Sequence, residues 1–282
     1  MDYDKYTLVE LKDYCRQKGI RGYSKLKRAE LIELIESTQE DSEIKEFKTS
    51  KKLEEEEKEK NVKLGRKGDI RVAKLPGRFS KLKRPYIPGY VSINVCSSSR
   101  NWSRELSPMF CGPVEHEEED YDGELLPPAS CVENFWQFCK VWDCDVNKKG
   151  ELKKSYFERK REGFLCKKGI RHALGKDRKK YKILYSYCGG KFYTYLEARK
   201  AIYCPLYENL VTQKKEFRQL KEMHEEGYNI LLLDYDGYEI TLETIQQCFE
   251  DESRPFGHAH VLFCILNDIR PWVHQEEEEE EE

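Results

Sequence analysis

Residues 6–37 read YTLVELKDYCRQKGIRGYSKLKRAELIELIES, and they predict two short helices joined by a basic, glycine-containing turn. Thr7 and Glu10 stand as a T-x-x-E capping box, in which each side chain satisfies an orphan backbone donor at a helix start. Leu8, Leu11 and Cys15 follow at helical spacing, so one face is apolar. Gly19 sits where a left-handed C-cap is wanted, with Ile20 placed to fold back onto the helix. A second helix is predicted through Ala29, Leu31, Ile32, Leu34 and Ile35, with Ser24 as its N-cap. Arg21, Tyr23, Lys25, Lys27 and Arg28 fall at the turn and the start of that helix, where cations can meet phosphates.

Residues 22–35, GYSKLKRAELIELI, carry a resemblance to the SAP domain and to the N-terminal module of the Rho termination factor. The order is glycine, an aromatic and a small residue, basic residues, then an apolar helix. The resemblance implies a helix-extended-helix unit that binds DNA, often AT-rich, through the turn and second helix. It assigns that contact to Arg21, Lys25, Lys27 and Arg28, with Tyr23 among them. The same fold family includes protein-binding members, so a hairpin that only packs or binds protein is the alternative.

Lys+Arg 50 and Asp+Glu 53 nearly cancel, giving a net charge of -3, so evenly spread charge would argue against nucleic acid. The charge is segregated instead. Glutamates fill 276–282 and acidic residues crowd 115–124, whereas 62–84 carries nine Lys or Arg against the single Asp69. One surface can then hold phosphates while another repels them. The polar N-terminus lacks the apolar core of an export signal, and no run reaches the roughly 20 apolar residues of a membrane span. The eleven cysteines are therefore expected as reduced thiols inside a cell. No C-x-x-C occurs, and Cys131, Cys139 and Cys144 lie eight and five apart, so no metal site and no cofactor are expected.

The expected organisation is a module over 5–37, a charged linker over 38–84, a larger domain over 85–274 with an acidic insert at 115–124, and an acidic tail over 275–282. Residues 38–61 offer few apolar side chains and read as a solvated linker that can be transiently helical. Residues 62–84, broken by Gly65, Gly68, Pro76 and Gly77, read as a flexible basic arm suited to counterion release on nucleic acid, with a nuclear-import patch or a plain solvated linker as alternatives. In the larger domain, 90–96 and 181–187 read as strands, and 228–234 as a buried central strand. Helices are expected over 131–142, over 194–203 with a stop at Pro205, over 208–226, over 241–249 and over 259–266. Strands alternating with helices predict a mixed α/β, or α+β, fold.

No phosphate loop, nucleophile elbow or H-E-x-x-H names a reaction. Asp234 and Asp236 close the apolar strand as D-Y-D-G, where paired carboxylates could act as a base or could simply make a tight turn. His258, beside Gly257 and before an apolar helix, could pair with Asp234 in an acid–base arrangement, while His260 falls on another helix face. Glu133 shares a stripe with Gln137 and Lys140 opposite the apolar face, which predicts a solvated surface. Arg199 is expected in a salt bridge or on a phosphate.

The succession LSPMFCGPV, VENFWQFCKVW, EARKAIYCPLY, LLLDYDGYE and PFGHAHVLFCIL is similar to an uncharacterised domain of phages and large DNA viruses. That similarity supplies no activity and implies a viral protein. The expected function is nucleic-acid binding, with DNA, or else RNA, as partner, no membrane association, and a place in the nucleus, a viral replication site or the virion. An enzyme of nucleotides or nucleic acid, drawing on Asp234, Asp236, His258 and Glu133, is the alternative. A third reading treats both segments as protein-binding surfaces.

Overall fold

Asn229–Asp234 is buried at every position, which only a strand covered on both faces allows. It is the middle strand of a three-stranded sheet, as its apolar run predicts. The computed structural model describes residues 3–38, 48–77 and 80–273, so the acidic tail over 275–282 lies outside the described residues. In chain order the elements are α1 (Leu8–Lys18), α2 (Arg28–Ser37), α3 (Ser50–Lys63), β1 (Ile70–Lys74), β2 (Tyr90–Asn94), α4 (Val132–Phe138), β3 (Lys140–Trp142) and α5 (Lys154–Leu165). There follow β4 (Ile183–Cys188), β5 (Lys191–Tyr193), α6 (Tyr195–Ala198), α7 (Cys204–Thr212), α8 (Lys215–Glu225), β6 (Asn229–Asp234), α9 (Ile245–Glu250) and α10 (His258–Leu266). The sheets are ordered β1-β6-β2 and β3-β4-β5, and the fold is α+β. Contacts divide the chain into one unit of Met1–Ile70, Arg84–Ser92 and Met223–Leu231 and a second of Arg71–Lys83, Ile93–Glu222 and Leu232–Glu282.

In the first unit α1 and α2 close on Leu11, Tyr14, Cys15, Leu31 and Ile35. Glu10 accepts from the Thr7 backbone N–H at 2.7 Å, Gly19 takes φ 70°, and Ile20 N–H returns to the Cys15 carbonyl at 2.8 Å. Each matches its expected cap. Ser24 does not cap α2. It lies in a short 3-10 turn, Tyr23–Lys25, because Leu26 must pack on the core in an extended conformation before the helix can start. Glu30 accepts from the Lys27 N–H at 2.8 Å instead.

The segment read as a solvated linker contains α3. Its first residue, Ser50, donates from N–H to Asp13 at 2.5 Å and from its hydroxyl at 2.8 Å, and Arg16 reaches the same hydroxyl at 2.6 Å. At the far end Asn61, buried, donates to the Gly227 carbonyl at 2.8 Å and to the Asn229 side chain at 2.9 Å. Polar anchors at both ends replace the apolar stripe whose absence made the segment look solvated. The basic arm likewise contains β1. Ile70 and Val72 are buried while Arg71 and Lys74 are exposed, so a period of two runs beneath the basic residues.

In the second unit, the helix expected over 131–142 stops at Phe138. Val141 and Trp142 pair with Tyr185 and Ile183, and that antiparallel ladder takes the chain out of helix. Pro205 does not end the helix begun at Tyr195. A π-helical turn, Arg199–Tyr203, intervenes, and Cys204 N–H donates to the Arg199 carbonyl, five residues back. The wider turn carries the chain past the missing N–H of Pro205, which then sits harmlessly in the first turn of α7. The helix expected over 208–226 is two, α7 and α8. The acidic insert is structured as well: Glu118, 4% exposed, takes an ion pair from the fully buried Lys160 at 2.5 Å. Lys160 also donates to the Tyr187 carbonyl at 3.1 Å.

Two predictions follow from these burials. Lys160→Met strands Glu118 without its partner and should cost about 3–5 kcal/mol, whereas Lys160→Met with Glu118→Gln should cost clearly less. Equal losses in urea unfolding would contradict the pairing. Burial pushes the Glu54 carboxyl up to about 7, with Arg16 opposing and Asp13 adding to the rise. A carboxyl raised in the folded state binds its proton more tightly there, so stability falls as pH rises from about 4.5 to about 7. Glu54→Gln should remove that fall and gain about 1 kcal/mol above pH 7, allowing for solvent screening. Unfolding midpoints of both proteins at pH 5 and pH 8 measure it.

Candidate functional site

The hairpin sets Arg21, Lys25 and Lys27 in solvent along one short stretch. Lys12, from α1, joins them by donating to the Ser24 carbonyl at 2.9 Å, a contact that sequence spacing did not suggest. Tyr23 is half-buried and packs on the hairpin core, so its ring is partly committed. Arg28 is placed differently from expectation. Its guanidinium donates to the Tyr6 carbonyl at 2.6 Å and the Tyr3 carbonyl at 2.7 Å, clamping the N-terminal turn rather than reaching outward.

In the second unit Asp234, Asp236, His258 and Glu133 line one cavity of about 520 Å³. The Leu75 N–H donates to the Asp234 carbonyl at 2.7 Å, and the Val95 N–H to the Leu233 carbonyl at 3.2 Å. These bonds hold the end of β6 between its neighbours. Gly237 N–H then donates to the Asp234 carbonyl at 3.1 Å, so the tight turn read in D-Y-D-G is present as well as the site. A Cβ on Gly237 would lie 2.6 Å from the Ala73 carbonyl oxygen, which is why glycine stands there.

Asp234 Oδ2 lies 3.2 Å from His258 Nδ1, and Asp234 Oδ1 accepts from the Cys96 thiol at 3.2 Å. Burial raises the Asp234 carboxyl, but His258, the Cys96 thiol, His260 and the Asp236 backbone together bring it below the ordinary range. His258 Nε2 meets the Val95 carbonyl at 2.9 Å. Both ring nitrogens are thus engaged by acceptors of the protein itself. That arrangement orients the ring and makes His258 a poor general base. Cys96, Asp234 and His258 come from three separate segments, yet their ligand atoms lie within 4.8 Å of one another. A soft divalent cation could replace the intervening protons, with the Val95 carbonyl holding the histidine from behind. Local cysteine spacing carries no signal of such a set. His260 is a buried structural group: burial pulls it down to about 4, and it bonds the Gly257 N–H and the Tyr238 carbonyl, both at 3.3 Å.

The stripe read as a solvated surface faces the cavity instead. Lys140 Nζ donates to Gln137 Oε1 at 3.0 Å, and Gln137 Nε2 donates to Glu133 Oε1 at 3.0 Å. Lys140 also rides 4.9 Å above the Trp136 ring. Burial pushes the Glu133 carboxyl up, with Gln137, Lys140 and His258 restraining it. Burial pulls Lys140 down to about 8, against the pull of Glu133. A carboxyl raised and an amine lowered can exchange protons with a ligand near neutral pH. Arg199 takes neither expected role. It is buried, with its guanidinium on the carbonyls of Phe249, Asp251 and Arg254, where it fixes the end of α9. Asp236 is outside the buried cluster, paired with Arg171 at 2.8 Å on the exposed side.

Lys140 should therefore show half-maximal acetylation near pH 8, read by peptide mass spectrometry across a pH series. Glu133→Gln should move that midpoint lower, because the group that favours the ammonium is gone. A Lys140 midpoint near that of an unperturbed lysine, roughly 10.4, would contradict the assignment.

Residues 2–43 match the Rho termination factor, N-terminal domain, the family that the hairpin sequence resembles, and this match suggests nucleic-acid binding. No curated protein and no solved structure matches the chain. Among the described residues no helix is long and apolar enough to cross a membrane. Residues 77–262 match the Family of unknown function (DUF6939), and since that match takes in the cavity and spans more than half of the chain, this protein belongs to that family.

Proposed function

We propose that the chain binds DNA through the N-terminal hairpin, with Arg21, Lys25 and Lys27 as the phosphate contacts and Lys12 beside them. The observation that carries this reading is the cluster of solvent-facing cations on a module that matches the Rho N-terminal domain. So few contacts give modest, salt-sensitive affinity. We place the chain in a viral setting, at the nucleus or a replication site, on the resemblance read from its sequence alone.

One observation favours a second reading, in which the larger unit is an enzyme acting on nucleotides or nucleic acid. Glu133 and Lys140 line a concave cavity with proton affinities moved toward neutrality, and the Asp234–His258 pair buttresses its wall. In this reading Glu133 is the acid and Lys140 the amine that accepts a proton or attacks. His258 and Asp234 position the wall, and Asp236 with Arg171 forms the rim. Mass-resolved products from full-length protein incubated with a panel of ribo- and deoxynucleotides test it. Turnover abolished in Glu133→Gln and Lys140→Met supports the reading, and unchanged turnover in both sinks it.

For the hairpin, binding to AT-rich duplex, mixed duplex and single-stranded RNA should be measured across a salt series. Replacing Arg21, Lys25 and Lys27 with alanine should weaken DNA binding at least tenfold and flatten the log K against log salt slope by about 2–3. Arg28→Ala should instead lower the stability of the hairpin by about 1–2 kcal/mol, since it removes charged bonds to two carbonyls. Undiminished binding by the triple variant overturns the assignment, and preference for RNA would redirect it.

A further inference from the structure

We infer that the cavity of the larger unit binds a nucleoside phosphate, with the base stacked on Tyr195 and the phosphate held by Arg178 and Lys179. The inference rests on the cavity being a ligand site and adds the chemical class of what enters it. Three observations carry it.

The first is charge. Two acids of the lining are already answered inside the protein: Asp236 by Arg171 at 2.8 Å, and Asp234 by His258 at 3.2 Å. Glu133 is hydrogen-bonded by Gln137. Arg178 and Lys179 lie on a short 3-10 turn, Gly175–Lys179, at the same cavity. Among the described residues neither has a carboxylate partner, and Arg178 bonds only its own turn, through the Gly175 carbonyl at 3.2 Å. With Lys140 they leave the lining with an excess of cations, which suits an anion.

The second is the apolar wall. Trp136, Tyr195 and Tyr203 form one aromatic group, with Trp136 at 5.1 Å from Tyr203 and 6.3 Å from Tyr195 between ring centroids. The Arg199 guanidinium lies 4.7 Å from the Tyr195 ring centroid, over one face, while Tyr195 keeps 38% of its surface exposed, room for a flat ligand on the other. Stacking on such a platform accepts any base. The third is size and polar reach. A volume of about 520 Å³ exceeds what one phosphate fills, and falls in the range of sites for whole small molecules. Gln137 and Glu133 lie deep in it, with acceptors and donors for a base edge or a sugar hydroxyl. An anionic group, a flat ring and hydroxyls together describe a nucleoside phosphate better than an inorganic anion or an aromatic acid.

The test is titration of the full-length chain, followed by calorimetry and tryptophan fluorescence. The hairpin is silenced in parallel by the Arg21, Lys25 and Lys27 alanine substitutions. The probes are a purine nucleoside monophosphate, its nucleoside, inorganic pyrophosphate and a 5′-phosphorylated oligonucleotide. The monophosphate should bind at least tenfold more tightly than either the nucleoside or pyrophosphate, and as well in the silenced variant as in the parent. Arg178→Ala with Lys179→Ala should cost the monophosphate about tenfold and leave the nucleoside unchanged. Tyr195→Ala should weaken both alike. Tighter binding of the monophosphate than of the oligonucleotide, or the reverse, assigns the source as a free nucleotide or a strand end, and either supports the inference. Pyrophosphate binding as tight as the nucleotide, or no saturable binding at millimolar ligand by folded protein, overturns it. Saturable monophosphate binding by a chain that turns over none of the nucleotides supports the inference while sinking the catalytic reading.

Discussion

The buried carboxylate of Asp234 is the constraint on which the larger unit's site depends. It is 4% exposed, and left alone it would cost on the order of several kcal/mol. Three segments resolve that cost together: Cys96 just past β2 supplies a thiol, His258 at the start of α10 supplies a ring nitrogen, and the Asp236 backbone supplies an N–H. The same bonds therefore fix how α10 begins relative to the end of the sheet. Gly257 belongs to this constraint too, since a Cβ there would stand 3.0 Å from the Asp234 carboxylate. His258 is fastened a second time, to the Val95 carbonyl, so its ring is held at both nitrogens. Fastening of that kind is what a site needs if its working groups are to hold their geometry.

The smaller unit solves a different problem. Five buried side chains make a thin core for a helical hairpin, and so small a unit buries little surface. Its remedy is polar. Asp13 on α1 gathers Ser50, Arg16 and Gln17, and Tyr86 bonds Ser50 at 2.8 Å while lying 4.9 Å beneath the Arg16 guanidinium. Helix α3 is thereby fastened to α1 by hydrogen bonds. Arg28 does comparable work at the N-terminal turn. Arg21, Lys25 and Lys27, by contrast, stay exposed along the turn and the start of α2.

Much of this was legible in the residues. The capping box at Thr7, the left-handed Gly19, the central strand ending at Asp234 and the helix after Gly257 all follow from local chemistry, which the tertiary structure did not override. The Asp234–His258 pair was legible as well, because a strand end and a helix start are places where side chains converge. The misses share a cause. β1 hid under basic residues, since only two buried positions, Ile70 and Val72, reveal its period. α3 hid because hydrogen bonds, which leave no periodic trace, hold it. Glu133 and Lys140 looked solvated because a polar stripe facing a polar cavity cannot be told from one facing water. Cys96 could not be grouped with Asp234 from spacing, since 138 residues separate them.

That last ambiguity bears on why such groups are kept at all. Glu133 and Lys140 sit where burial works against the charged form of each, and they are joined through Gln137 rather than in direct contact. A structural ion pair would gain by closing that gap, as Lys160 and Glu118 do at 2.5 Å. Burial opposes the charge on both, yet Lys160 is raised by Cys139 and Tyr156 and then by Glu118, and Glu118 is lowered by Lys160. Glu133 and Lys140 shift the opposite way, toward neutrality, while opening on a cavity. One pair has the electrostatics of a strut, and the other has the electrostatics of groups held ready for a ligand. The contrast within one unit, between chemically identical side-chain types, sets the pair at the cavity apart from a structural ion pair.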